Sequence, residues 1–290
     1  MTTSDQALAA AAGASPAAIA FHYDLGSAFY ALWLDSELTY SCAMFEDGDD
    51  LERAQQRKID HHARESGAIG ARHVLDVGCG WGSMLRRLVA QHGVARATGL
   101  TLSEDQARWI AARGDPRTLV RLESWREHAP AEPYDAIVSI GAFEHFVERD
   151  QRRASRIAAY REFFARCNTW LRAGGTLSLQ TIAYGTLRPE QISAFITAEI
   201  FPESDLPTLG EIADATAGLF EIVRLRNDRS DYARTCREWL RRLAARHAAA
   251  AEIVGEARVR SWERFLRMSA AGFEAGGLVL LRITLRRIDA

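Results

Sequence analysis

Lysine is almost absent from this chain of 290 residues: Lys58 is the only one among 36 basic residues, and arginine supplies the rest. A strong charge of either sign is also missing. The formal net charge is −2, which gives no electrostatic basis for binding nucleic acid. Cysteine is sparse. Cys42, Cys79, Cys167 and Cys236 are scattered, with no C-x-x-C and no Cys/His spacing, so neither a metal site nor a disulfide framework is expected. The chain reads as reduced and cytoplasmic. No apolar run approaches the ~20 residues that span a bilayer, which leaves at most peripheral membrane contact. The Ala-rich start, residues 1–15, lacks a basic n-region and reads as a frayed tail rather than a secretory signal. No repeat and no Pro/Gly/Ser-rich linker divides the remainder, so residues 16–290 read as one domain. At 48% hydrophobic it has enough apolar residues for a sizeable core.

What is present is an alternation of strands and helices. Residues 73–82 read HVLDVGCGWG. Val74, Leu75 and Val77 make a buried strand, Asp76 sits near its end, and Gly78, Gly80 and Gly82 follow at alternate positions. The run 83–93 then reads as a helix whose first N–H groups lack partners. Glycines at such a turn allow close backbone approach by a ligand, so this is a strand–loop–helix nucleotide cradle. A dinucleotide loop wants G-x-G-x-x-G, and position 83 is Ser83. The observed G-x-G-x-G, preceded by Asp, suits S-adenosylmethionine. Further strands are expected at 97–103, 120–125, 134–143, 176–183, 220–228 and 278–288, with helices at 104–114 and 156–175, the last ended by glycine. The fold class is therefore α/β: a seven-stranded, mainly parallel, Rossmann-like sheet covered on both faces. Its segments are a helical lid (16–70), a cofactor-binding core (71–185), a mostly helical substrate cover with one strand (186–275) and a last strand (276–290).

Methyl transfer from a sulfonium needs positioning, exclusion of water and aromatic faces near the cation. The stretch 21–35 supplies Phe21, Tyr23, Phe29, Tyr30 and Trp33, though aromatics at helical spacing also build cores. Tyr40, Ser41 and Cys42 are small or polar among apolar neighbours, and Cys42 reads more readily as an inert buried thiol than as a nucleophile. Glu144 and His145 follow a strand, at the carboxyl edge where ligands bind. A carboxylate in apolar company there must be paired or shifted in pKa. His145 is a candidate base or a satisfied structural histidine.

In order along the chain, HYDLG with FYALWLD, TYSCAMF, VLDVGCGWG, GLTLSEDQ, SIGAFEHF, EIFPESDLP and DYARTCREW resemble the cyclopropane-fatty-acyl-phospholipid and mycolic acid cyclopropane synthases. The resemblance runs from about residue 20 to 285 and implies a methyltransferase fold with S-adenosylmethionine as cofactor. It implies that Tyr23, Tyr40 and Ser41 hold the methionyl end and that the three loop glycines line the cofactor. It also implies Thr101 and Gln106 at the ribose and Trp125 at the adenine. The family often has Glu after that Trp, where this chain has Arg126. The acceptor implied is an alkene in an acyl chain, and a bicarbonate ion is implied at Cys42, Glu144, Ile182 and Tyr232. Gln180 stands where the family's H-T-I motif carries histidine, and glutamine donates hydrogen bonds but takes no proton. This departure, and a long segment after EHF, suggest an altered acceptor.

The leading expectation is methyl or methylene transfer to an electron-rich carbon of an unsaturated acyl or polyketide-like substrate. The alternative is a C-, N- or O-methyltransferase of a small specialised metabolite on the same scaffold. A non-catalytic S-adenosylmethionine-binding protein is disfavoured by Cys42, Glu144 and Tyr232. A nucleotide-dependent oxidoreductase is disfavoured by Ser83 and by the absence of an acidic residue after the second strand.

Overall fold

The structure is a computed structural model that describes residues 25–149, 151–196, 200 and 205–289. Strand β1 (His73–Val77) is buried at every position, as the apolar run at its centre requires. Beside it lie β2 (Arg96–Thr101), β3 (Thr118–Leu122), β4 (Tyr134–Ile140), β5 (Leu171–Tyr184), β6 (Phe220–Asn227) and β7 (Leu278–Arg287). They form one seven-stranded sheet in the order β3-β2-β1-β4-β5-β7-β6. Strands β1 to β5 run parallel, and β7 lies antiparallel between β5 and β6. This is the mainly parallel sheet that the sequence leads one to expect. Strand order reverses between β1 and β4, so a crevice opens beyond their carboxyl ends.

Helices cover both faces because successive side chains of each strand point to opposite sides. On one face Leu75, Val77, Ile137 and Leu177 pack against Tyr160, Phe163 and Phe164 of α5 (Arg153–Trp170) and Ile212 of α6 (Leu209–Thr216). The other face carries Val74, Ala136 and Val138 against α2 (Leu51–Glu65) and α3 (Ser83–Gln91), which follow the short α1 (Ser27–Ala31). Helix α2 starts where the Asp50 carboxylate accepts the Arg53 N–H at 2.9 Å. Its buried stripe, Leu51, Ala54, Gln55, Lys58, Ile59 and His62, repeats every three or four residues. Within 16–70, therefore, α2 lies on the sheet itself, with His62 Nδ1 2.8 Å from Ser178 Oγ of β5.

A third core joins Phe29, Tyr30 and Trp33 of α1 to Trp239 of α7 (Arg229–Ala245) and Trp262 of α9 (Glu256–Glu274). Helices α4 (Glu104–Ala111) and α8 (His247–Val254) complete the described set. The rings meet edge-on or tilted, as at Trp33–Trp239 (5.7 Å) and Tyr30–Trp81 (4.8 Å), geometries that aromatic quadrupoles favour. Among the described residues of 186–275, α7, α8 and α9 build this aromatic core, while α6 and Phe220 of β6 join the core on the α5 face of the sheet. Among the described residues, no helix is long and apolar enough to cross a membrane.

One boundary differs from the sequence expectation. Helix α5 ends at Trp170 rather than at the glycines near 175, because Leu171 is already extended (φ −79°, ψ 145°) and pairs with Tyr134. The glycines serve an irregularity within β5 instead, where Gly174 has φ +66°.

The carboxyl end of β5 is anchored by buried charge. Arg156 of α5 donates from Nε to Glu211 Oε1 at 2.8 Å and from Nη2 to the Leu206 carbonyl at 2.6 Å, and it pairs with Asp205. Asp205 also accepts the Tyr184 hydroxyl at 2.5 Å. Replacing Arg156 by leucine would strand two buried carboxylates. We expect Arg156→Leu to lose about 3–5 kcal/mol of unfolding free energy in urea titrations. A loss below about 1 kcal/mol would show the network to be dispensable.

Candidate active site

Beyond the carboxyl ends of β1, β2 and β4 lies a cavity lined by the loop that follows β1. Gly78 has φ +81°, and a Cβ there would meet Ala142 Cβ at 2.4 Å. Gly80 has φ +53°, and a Cβ would project into open space. These two glycines, Tyr40, Ser41, Asp76, Thr101, Gln106 and Trp125 all line this one cavity. Gly82 does not. It precedes α3 at φ +78°, and its missing Cβ lets Ile110 approach within 2.8 Å of that point. Tyr23 lies outside the described residues.

The polar groups of this cavity are arranged for a ligand. Thr101 donates its hydroxyl proton to Gln106 Oε1 at 2.6 Å, which leaves the glutamine NH2 group for other partners. The Arg126 guanidinium lies 4.4 Å above the Trp125 ring and bonds Glu162 at 3.2 Å, so it braces the indole face. Asp76 is 3% exposed, and its Oδ1 has no hydrogen-bond partner among the described residues. Burial pushes its carboxyl up to about 7, against the opposing pull of Lys58. An orphaned acceptor of this kind is unfavourable in an empty protein and becomes favourable once a ligand donor reaches it.

A second cavity adjoins the first, and Tyr40, Ser41, Gly141 and His145 line both. Its walls are largely apolar: Ile182, Ile192, Ile196, Trp239, Phe265, Leu266 and Phe273. Set among them are Glu144, Gln180 and Tyr232. Tyr232 stacks on Phe273 with ring centroids 4.4 Å apart. Glu144 Oε1 accepts the Ile182 N–H at 2.7 Å, while Oε2 is buried with no partner among the described residues. Burial pushes the Glu144 carboxyl up to about 7, although that N–H pulls it down. His145 is pushed down to about 4 by burial and is held neutral. Gln180 Oε1 accepts from Arg282 Nε at 2.9 Å and lies 3.2 Å from His62 Nε2, so the amide NH2 is the end left for the cavity.

One residue of the expected oxyanion set, Cys42, is placed differently. Cys42 is fully buried and lines neither cavity; its thiol donates to the Ala43 carbonyl at 3.1 Å and is pushed up to about 12 by burial. Ile182 lines the second cavity, but its N–H is committed to Glu144. Conversely, Lys58, Trp81 and Trp239 line the cavities without having been singled out. Lys58 had a readable signal, because a lysine stands on the apolar stripe of α2.

The family model described as mycolic acid cyclopropane synthetase matches residues 13–283. The chain belongs to this family. It is an S-adenosylmethionine-dependent transferase of the Rossmann-like class. It is 36% identical over 286 residues to cyclopropane mycolic acid synthase MmaA2 of Mycobacterium tuberculosis, covering 92% of this chain and 95% of that protein. It is 34% identical to a probable fatty acid methyltransferase of Pseudomonas putida, covering 92% of this chain and 68% of that one. The solved structure of the mycolic acid cyclopropane synthase CmaA1 with S-adenosylhomocysteine and CTAB superposes with a TM-score of 0.85 at 31% identity, covering 95% of this chain and 99% of that chain.

Two outcomes follow for the site. Gly80→Val fills the space into which the missing Cβ points, so S-adenosylhomocysteine affinity falls at least about tenfold in calorimetry while circular dichroism stays native. Unchanged affinity would remove the loop from the cofactor site. The second outcome concerns pH. The folded protein holds the Glu144 proton more tightly than the unfolded chain, so this residue's contribution to stability is present at low pH and is lost as pH rises from about 4.5 to about 7. Glu144→Gln removes that loss. Its melting temperature therefore gains on the wild type between about pH 5 and about pH 8. A pH-independent difference would contradict the buried, orphaned carboxylate.

Proposed function

We propose that the protein transfers a carbon from S-adenosylmethionine to an alkene carbon of an unsaturated acyl or polyketide-like chain. The observation that carries this reading is the second cavity: an apolar channel that meets the cofactor cavity at Tyr40, Ser41, Gly141 and His145. When bound, the cofactor supplies an electrophilic methyl carbon with a neutral thioether as leaving group. The chain's own residues position the two reactants and exclude water, which such a transfer chiefly requires. Tyr40 presents an aromatic face at the junction, held by Trp239 at 5.2 Å and Trp33 at 5.6 Å.

After the new C–C bond forms from the alkene π pair, a proton must leave the acceptor. Glu144 Oε2 is the group best placed to receive or relay it, as a buried oxygen without a partner among the described residues. The Gln180 NH2 group and Tyr232 would hold a small oxyanion such as bicarbonate beside it, and bicarbonate would supply a further base. Glu144 in its protonated form would donate to that ion rather than repel it. We place the reaction in the cytoplasm, in keeping with four free, buried thiols.

The purified protein, S-adenosylmethionine and a monounsaturated acyl chain should give S-adenosylhomocysteine and a lipid heavier by one CH2. Proton NMR of the product then distinguishes a ring from a methyl branch. Glu144→Gln should keep cofactor affinity and lower turnover about tenfold or more. Bicarbonate depletion should slow the wild type, and Gln180→His should remain active. Turnover only with small polar acceptors, indifferent to bicarbonate and to Tyr232→Phe, would overturn the reading in favour of a small-metabolite methyltransferase.

A further inference from the structure

Helix α2 holds the strip Thr39–Ser41, at the edge of the cofactor cavity, with two side chains one turn apart. Gln55 Nε2 donates to the Ser41 carbonyl at 2.8 Å and to the Thr39 carbonyl at 3.2 Å. Lys58 Nζ donates to Ser41 Oγ at 2.8 Å, and Lys58 itself lines the cavity beside Asp76. Lys58 is 1% exposed. A lysine so buried is costly unless it is paired or does chemistry.

We propose that Lys58 is a positioning residue for the methionyl end of S-adenosylmethionine: its ammonium makes Ser41 a hydroxyl donor into the cavity and sets the cavity's charge to match that end. The inference rests on the cofactor assignment above. An ammonium has no acceptor, so Ser41 Oγ receives the Lys58 proton and must send its own proton elsewhere. The Ser41 hydroxyl is thereby pre-set to meet a carboxylate, with the lysine's positive charge directly behind it.

The charges around Lys58 support the same match. Facing it are Asp35, Asp76, the Cys42 thiol and Arg282, with His62 one turn along its own helix. Asp35 is buried and accepts the Thr39 N–H at 2.7 Å. Arg282 is already paired with Asp228, and His62 is kept neutral by burial. Burial likewise holds the Cys42 thiol protonated. Burial favours the neutral form of both Asp35 and Asp76, so protonated Lys58 is the charge set behind Ser41 to face the ligand's carboxylate. Burial pushes Lys58 down to about 8, so an added carboxylate has room to raise it.

Because Lys58 is the only lysine, protein labelled with 13C at the lysine ε-carbon gives a single side-chain resonance. Its titration midpoint should rise when S-adenosylhomocysteine is added and stay put with 5′-methylthioadenosine, which lacks the amino-acid tail. In calorimetry, Lys58→Met should lose about tenfold in affinity for S-adenosylhomocysteine and little for 5′-methylthioadenosine. A wild-type lysine resonance indifferent to S-adenosylhomocysteine, despite measured binding, would overturn the proposal, as would equal losses for both ligands. Failure of the wild type to bind either nucleoside would instead overturn the cofactor assignment itself. The resonance experiment uses the wild type and does not depend on the variant folding.

Discussion

The buried guanidinium of Arg282, on β7, ties together parts of the chain that are far apart in sequence. It pairs with Asp228 at the end of β6, donates to Gln180 of β5 at 2.9 Å, and donates to the Ala43 carbonyl at 3.0 Å and the Cys42 carbonyl at 3.3 Å. A guanidinium has five donors and no acceptor, so its burial is tolerable only where carbonyl and carboxylate oxygens converge. That convergence fixes the segment Tyr40–Ala43 against the sheet. Tyr40 and Ser41 then face the junction of the two cavities, while Cys42 is turned into the protein. Both the cofactor edge and the acceptor edge depend on this one cation.

Local signals were legible in the sequence, and convergent ones were not. The seven strands and the glycine loop follow from runs of a few residues, and they appear where expected. Eight of the ten anticipated cofactor residues line one cavity; Gly82 packs against Ile110 instead, and Tyr23 is not described. The roles of Arg282 and Arg156 were hidden because each is set by partners 49 to 240 residues away, and the burial of Lys58 left a sign in the stripe of α2 while its partner Ser41 did not. Cys42 was misplaced for a related reason. A motif assigns a residue to a site, but whether its side chain or its backbone faces that site depends on what lies behind it. Here Arg282 and Thr235, whose hydroxyl accepts the Ala43 N–H at 3.1 Å, hold the strip from behind. The end of α5 was misread because glycine is a sufficient stop signal but not a necessary one, and the pairing of Leu171 with Tyr134 takes over first.

The two cavities share one electrostatic design. Each contains a carboxylate that is nearly dry and lacks a full set of donors, Asp76 in the first and Glu144 in the second. In both, burial outweighs the neighbours that would favour ionisation, so both groups rest near neutrality in proton affinity. Each unpartnered oxygen is thereby a point at which a ligand's donor would be favourable.

Gln180 shows how the surroundings can compensate for a change of residue type. Alone, a neutral amide is a weaker anion ligand than an imidazolium. Here its oxygen is held by the Arg282 guanidinium and faces His62, whose Nδ1 is in turn 2.8 Å from Ser178 Oγ. A cation bonded to the amide oxygen draws electron density from the nitrogen and strengthens its N–H donors, the cooperative effect expected of hydrogen-bond chains at low dielectric. The positive charge that a histidine would bring into the cavity lies one residue further back, on Arg282, and is transmitted through the amide. What glutamine does not restore is a site for a proton. In the proposed reaction, proton transfer in the second cavity would then rest on Glu144, whose Oε2 is the buried oxygen there with no partner among the described residues, and on a bound oxyanion beside it.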